Sequence, residues 1–358
     1  MIKKLLIANR GEIAVRIIRA CAESDIISVA IYTDTDRHAL HVEKANEAYN
    51  IGPQSVAGYL NAHRIVNLAV ATHCDALHPG YGFLSENPLL PEICRARGIR
   101  YVGPDAAVIR KMGDKVEARA AMQAAGIPVV PGSDGSLKDL DEARTLAATI
   151  GYPVMLKATT GGGGRGIRRC NSAADLEKNY QRVISEASKA FGSADIFLEK
   201  CIDRPRHIEV QILADTHGNT VHLFERDCSI QRRHQKLIEI APSPQLNDAQ
   251  REWLGETAIR AAQAVNYINA GTVEFLLDAG GNFYFMEMNT RLQVEHTITE
   301  AITGIDIVRE QLRITDGQPL SYSQRDIQRR GYAMELRINA EDPKNDFLPS
   351  FGRITRYY

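Results

Sequence analysis

The sequence contains no apolar run long enough to cross a bilayer, and its opening residues lack the pattern of a secretory leader. Its six cysteines, Cys21, Cys74, Cys94, Cys170, Cys201 and Cys228, include no CxxC pair, so neither a zinc ribbon nor a dithiol redox centre is indicated. Both absences predict a protein of the reducing cytoplasm. Neither charge is in excess: 43 basic residues against 44 acidic ones leave a net charge of -1. Bulk attraction to nucleic acid or to an anionic membrane is thereby excluded, and any anion site must be built locally. The first strand-turn-helix unit lacks GxGxxG, which removes the case for a dinucleotide, and no GxxxxGK[ST] occurs, which removes the P-loop. No repeat or low-complexity segment appears.

What is present is the pattern of a layered α/β protein. A chain of 358 residues, 44% hydrophobic, is long enough for two or three compact domains. Residues 3–8 and 27–32 read as strands, and residues 12–23 as a helix with Ile13, Ile17 and Cys21 on one face, the opening of a doubly wound domain. Further strands are expected near residues 76–77 and 100–102. An alanine-rich helix over 115–125 runs into Gly126-Ile-Pro128 and Pro131-Gly132, turn chemistry suited to a junction. Beyond it, strands at 153–157 and 196–200 and helices at 140–150 and 173–190 surround a glycine loop, the composition of a lid. The remainder alternates polar and apolar residues over 208–213, 221–225, 272–277 and 282–288, as half-buried strands do. The division expected is 1–114, 115–201 and 202–358, an α/β domain followed by α+β segments. The last residues read as a strand in progress, so the third domain is expected to be incomplete.

The sharpest chemical signal is a hairpin. Gly280-Gly281 suits a two-residue turn with positive φ at both positions, and with that turn as centre Glu274 falls opposite Glu287. Like charges facing across a ladder destabilise it unless a cation sits between them. Asn289, two residues on, shares the face and adds a third oxygen ligand, a set suited to Mg2+ or Mn2+. A solvated polar face is the alternative, but Phe275, Phe283 and Phe285 crowd the hairpin. Lys157 followed by the glycine run at 161–166 suits a phosphate cradle, in which bare backbone N–H groups approach phosphate oxygens. Metal and cradle together are what phosphoryl transfer from a nucleotide requires. A third cluster, Arg206-His207, Glu225-Arg226-Asp227 and Gln231-Arg-Arg-His-Gln-Lys236, mixes both charges without aromatic interleaving, so an anion pocket is expected rather than a nucleic-acid surface. A fourth sets a candidate base, Glu295, beside candidate oxyanion binders, Arg291 and Arg337.

Seven runs, Ala8-Asn-Arg-Gly-Glu-Ile13, His78-Pro-Gly-Tyr-Gly-Phe-Leu-Ser-Glu-Asn87, Gly113-Asp-Lys115, the glycines of 161–166, Pro205-Arg-His-Ile-Glu209, Glu287-Met-Asn-Thr-Arg-Leu-Gln-Val-Glu-His296 and Arg337-Ile-Asn-Ala-Glu-Asp-Pro343, closely resemble those of biotin carboxylases of the ATP-grasp type. They span nearly the whole chain. The resemblance implies a pre-ATP-grasp domain, a lid and a C-terminal domain. It implies that Lys115 and Lys157 hold nucleotide phosphates under a lid loop containing Gly163 and Gly164. Glu199, Lys200, Cys201 and Ile202 match the hinge that receives adenine, and His207 and His234 match nucleotide contacts. Glu274, Glu287 and Asn289 match the metal ligands. Lys236, Arg291, Gln293 and Val294 match the bicarbonate site, Glu295 its base, and Arg337 the group that steadies the biotin enolate. Cys201 stands where the family often has an aromatic residue, Thr160 replaces a glycine, Ile240 replaces an acidic residue, and a Glu274 to Glu287 spacing one residue longer than in some relatives suggests a bulge.

The activity so implied is ATP-dependent carboxylation of biotin by bicarbonate through carboxyphosphate, the first half-reaction of an acetyl-CoA or pyruvate carboxylase. Its partners would be a biotin carboxyl carrier protein, a carboxyltransferase subunit and a second copy of the chain. Two alternatives stand beside it: another ATP-grasp ligase that passes an acyl-phosphate to an amine, and a nucleotide-binding protein without turnover.

Overall fold

In the computed structural model, which describes residues 1–53, 56–158, 166–191, 195–233, 235–350 and 356, three main sheets follow one another along the chain, with a two-stranded ribbon of Glu341–Asp342 and Leu348–Pro349 after them. The first is parallel. Its strands β1 (Lys4–Ile7), β2 (Ile27–Tyr32), β3 (Glu47–Asn50), β4 (Ala76–His78) and β5 (Arg100–Tyr101) lie in the order β3-β2-β1-β4-β5. The chain therefore starts in the middle and winds outwards twice, as expected for a doubly wound sheet. Leu5, Leu6 and Ile7 are all fully buried, because helices cover both faces and leave no polar side for alternation. Those helices are α1 (Gly11–Ala22), α2 (Leu40–Lys44), α3 (Ala62–Ala71) and α4 (Leu89–Ala96), whereas α5 (Ala106–Gly113) and α6 (Lys115–Ala124) pack into the core of the third sheet. α1 buries the Ile13, Ile17 and Cys21 face.

The strand order reverses between β1 and β4, and there the Asn9 amide donates to the carbonyls of Pro79 (2.7 Å) and Tyr81 (2.8 Å). This ties together the loops that leave the two strands. Gly80 is required at the join: its φ is +67°, and a Cβ there would lie 2.8 Å from Asn9.

The second sheet is small and antiparallel, with β6 (Val154–Ala158) between β7 (Ile167–Cys170) and β8 (Ile196–Lys200). α7 (Leu140–Ile150) and α8 (Ala173–Phe191) close its core over Val154, Leu156, Ile196 and Leu198.

The third sheet carries the site. β9 (Arg206–Ala214), β10 (Thr220–Arg232), β11 (Gln235–Ala241), β12 (Asn269–Leu277), β13 (Phe283–Asn289) and β14 (Ala333–Leu336) are arranged β13-β12-β9-β10-β11-β14. Along β9, Ile208, Val210 and Ile212 alternate with His207, Glu209 and Gln211. The apolar set packs with Val273 and Phe275 against α9 (Asp248–Ala264), and each such side chain contributes about 1.5–3 kcal/mol by burial. The polar set is left on the opposite face. α9 starts at a capping box formed by Asn247 and Gln250. α10 (His296–Thr303) follows β13, and α11 (Ile307–Thr315) packs on α1 in a core shared by the first and third sheets.

The hairpin differs from the two-residue turn expected at Gly280-Gly281. The strands close at Leu277 and Phe283, and Asp278 N–H donates to the Asn282 carbonyl (3.0 Å), which leaves a three-residue loop. Only Gly281 has positive φ (84°). Gly281 N–H donates to the Asp278 carbonyl, and the Asp278 carboxylate receives the N–H groups of Gly280 and Asn282, the pattern of a type I turn followed by a left-handed glycine. Such a turn alone would set Glu274 against Met286. A bulge between Glu274 and Phe275 on one strand and Glu287 and Phe285 on the other absorbs Met286 and restores the Glu274–Glu287 pair.

Candidate functional site

Register places three carboxylates abreast. Glu287 of β13 pairs with Glu274 of β12, Glu274 with Glu209 of β9, and Glu209 with Arg226 of β10. Residues opposite one another in antiparallel strands share a face, and of this row Glu274 and Glu287 line one cavity of about 810 Å3 while Glu209 is buried. Lys236 reaches into the row from β11. Its ammonium donates to Glu209 (2.5 Å), Glu274 (3.0 Å) and Glu295 (2.7 Å), and these contacts outweigh burial and raise its pKa well above the usual value.

His207 Nε2 lies 2.8 Å from Glu274 Oε2 in ion-pair contact, with its N–H off the line to the oxygen. Burial disfavours the imidazolium, but Glu274 and Glu209 prevail and raise its pKa to about 10. For Glu274 burial again opposes the charge, and Lys236 and His207 overcome it and hold the carboxyl at about 2. For Glu287 the attraction of Lys115 is weaker than either opposing effect. Burial, then the negative charge of Glu274, pushes its pKa up, and it has no hydrogen-bond or ion-pair partner among the described residues.

Glu295 stands at the start of α10 and is 2% exposed. Its two oxygens accept from Lys236 and from Arg337 Nη2 (2.9 Å), and Arg337 Nε donates to Glu239 (2.6 Å). Arg291 is held by Glu86 (2.9 Å) and by the side-chain amide oxygen of Asn289 (2.8 Å). Gln293 donates to Glu274 and accepts from Arg226.

The cavity thus gathers His207, Lys236, Glu274, Glu287 and Asn289 with Arg291, Gln293, Val294, Glu295 and Arg337. Lys115 faces an adjoining hollow that also touches Glu287 and Arg291. Lys157 lies in the small sheet, 2.5 Å from Glu199, and Glu199, Lys200, Cys201 and Ile202 continue from its strand β8, outside the lining of the main cavity. The Lys200 ammonium is directed to the carbonyls of Gly151 and Tyr152. Gly163, Gly164 and His234 lie outside the described residues.

The expected anion pocket needs correction in part. His207, Gln231, Gln235 and Lys236 line the cavity, but Glu225, Arg226 and Asp227 are buried beneath it. Arg226 is completely inaccessible. It donates to Glu209, Gln211, Thr272, Gln293 and Thr299, so all its directions are used inside the protein. Glu209, Glu239 and Glu86 were not among the expected site residues. The signal for Glu209 was its position two residues from His207 in an alternating strand.

Two carboxylates and an amide oxygen form a hard donor set, and a half-buried Glu287 without a hydrogen bond, beside ionised Glu274, is the arrangement that a divalent cation would relieve. The residues therefore fit Mg2+ or Mn2+. Next to them, a buried carboxylate between lysine and arginine can exchange a proton with a small bound anion.

Comparison with known proteins agrees with this geometry. Residues 1–109 match the family described as biotin carboxylase, N-terminal domain, and residues 114–323 the family described as carbamoyl-phosphate synthase L chain, ATP binding domain. The whole chain is 56% identical to the 2-oxoglutarate carboxylase small subunit of Hydrogenobacter thermophilus, covering 76% of it, and 55% identical to biotin carboxylase 2 of Bacillus subtilis, covering 80%. The crystal structure of the biotin carboxylase domain dimer of the Hydrogenobacter thermophilus enzyme, in complex with MgADP, ADP and bicarbonate, superposes with a TM-score of 0.95 at 56% identity, over all of this chain and 79% of that one. This chain belongs to the biotin carboxylase family.

Proposed function

We propose that the chain is an ATP-dependent ligase that activates bicarbonate and carboxylates biotin on a carrier protein. The observation that carries this reading is Glu295, a buried carboxylate held between Lys236 and Arg337 at the end of a row of glutamates. Bicarbonate is a poor electrophile and the ureido nitrogen a weak nucleophile, so activation must precede transfer. Lys236, Arg291, Gln293 and the backbone of Val294 bind bicarbonate, and Glu295 removes its proton. The dianion attacks the γ-phosphorus of ATP, ADP leaves, and carboxyphosphate results. It decays to CO2 and phosphate, the phosphate takes the ureido proton, and Arg337 stabilises the enolate while nitrogen captures CO2.

Glu274, Glu287 and Asn289 would hold Mg2+ or Mn2+, which neutralises phosphate oxygens when bound. Lys115, Lys157 and the loop with Gly163 and Gly164 would hold the nucleotide phosphates, His207 and His234 would contact the nucleotide, and adenine would lie against Glu199, Lys200, Cys201 and Ile202. Closure of the small sheet over the loop would exclude water from the labile intermediate.

The reaction is the first half of an acetyl-CoA or pyruvate carboxylase, in a pathway of fatty acid synthesis or pyruvate carboxylation. Biotin carboxyl carrier protein and a carboxyltransferase subunit are the partners, and a homodimer in the cytoplasm is the working form. Six unpaired cysteines are consistent with that compartment. ATP hydrolysis by this chain should require bicarbonate and rise with free biotin. Hydrolysis indifferent to both would favour a different ATP-dependent ligase.

A further inference from the structure

Arg337 is bound by two buried carboxylates, of which only Glu295 lines the cavity. Just past the end of β14 it lies diagonally across from Glu239, since Glu239 pairs with Glu335 and Arg337 N–H donates to the Leu237 carbonyl. Its Nε donates to Glu239 at 2.6 Å and its Nη2 to Glu295 at 2.9 Å, while Nη1 has no partner among the described residues. Glu239 is wholly buried, and its second oxygen, Oε2, is buried without a hydrogen bond. The neighbouring Glu335 carboxylate is instead engaged by the hydroxyl of Thr297.

We propose that Glu239 is the positioning residue that holds Arg337 in place for the biotin half of the reaction. The proposal rests on the reading of Arg337 as the group that steadies the enolate. In that reading Glu295 becomes neutral when it takes the bicarbonate proton, and its hold on Arg337 weakens at the moment the arginine is next required. Glu239 takes no part in that transfer. Its grip through Nε leaves the far edge of the guanidinium free to face the ureido oxygen.

The energetics favour such a role over a purely structural one. A fully desolvated carboxylate with one unpartnered oxygen, opposite a second glutamate, is unfavourable for stability, and an apolar residue would serve the sheet better. Burial, against the attraction of Arg337, pushes its pKa to about 7.

The test measures carboxybiotin formed per ATP cleaved, with free biotin, bicarbonate and saturating ATP. It compares the full chain with Glu239→Gln, Arg337→Ala and the double variant. Glu239→Gln should retain bicarbonate-dependent ATP cleavage within about twofold and lose coupling by on the order of tenfold. The double variant should be no worse coupled than Arg337→Ala alone, because both changes remove one device. Unchanged coupling in Glu239→Gln, equal loss of both activities, or additive losses in the double variant would each overturn the proposal. If Arg337→Ala itself stayed coupled, the reading of Arg337 would fail, and the role of Glu239 with it. Should Glu239→Gln fail to fold, Glu239→Met offers an apolar isostere for the same comparison, with the same outcomes deciding.

Discussion

Lys236 balances three carboxylates at once, and His207 is drawn into the same cluster by Glu274. The pH response of the metal-free protein follows from their signs. His207 has a folded pKa of about 10 against an ordinary 6.5, so its stabilisation is full below about 6.5 and is lost as pH rises through 10. Glu274, at about 2 against 4.5, contributes fully above about 4.5 and is lost as pH falls through 2. Imidazole titration followed by NMR should therefore place His207 near 10 without metal and lower with Mg2+, since the cation competes for Glu274. A His207 pKa near 6.5 in the metal-free protein would show that the pair does not form. At this scale the sequence was informative about residue types and silent about wiring. His207, Glu274 and Glu295 could be singled out, but Arg226 looked like one charge in a polar run although it is the most deeply buried cation of the site.

Among the elements, the hairpin shows what short-range pattern can and cannot determine. The facing of Glu274 and Glu287 was legible, yet it arises from two features that compensate: a three-residue turn and a bulge at Met286. The suspected bulge came from spacing, whereas the turn type depends on the Asp278 side chain capping two N–H groups. The turn and the carboxylate pair are separable by mutation. Gly281→Ala, at φ 84°, should cost on the order of 1 kcal/mol in urea unfolding and leave the magnesium dependence of ATP cleavage unchanged. Glu287→Gln, which removes one charge of the pair, should instead weaken that dependence. Equal metal dependence in both variants would mean that the pair is not the metal site. Glu209 was harder to see because β9 takes β12, some sixty residues away, as a neighbour, and no local pattern reports a distant pairing.

For the whole molecule, the doubly wound domain was legible because buried parallel strands and amphipathic helices announce themselves by period. The glycine loop with Gly163 and Gly164, expected as a lid, lies outside the described residues. On β14 and just beyond, Tyr332, Met334, Leu336 and Ile338 form an exposed apolar stripe at period two, on the edge of the six-stranded sheet. In the 358-residue chain, Met334→Lys with Leu336→Glu should reduce self-association in light scattering without lowering thermal stability. Unchanged association would show that the stripe is not the adhesive surface. The central claim, that bicarbonate is activated by ATP at Glu295 and Lys236, is tested most directly by the fate of oxygen. Attack by bicarbonate on the γ-phosphorus leaves one bicarbonate oxygen on phosphate when carboxyphosphate breaks down. With 18O-labelled bicarbonate, phosphate released by the wild-type chain should carry one labelled oxygen, and Glu295→Gln should release almost none. Phosphate free of label, at a normal rate of ATP cleavage, would contradict the account.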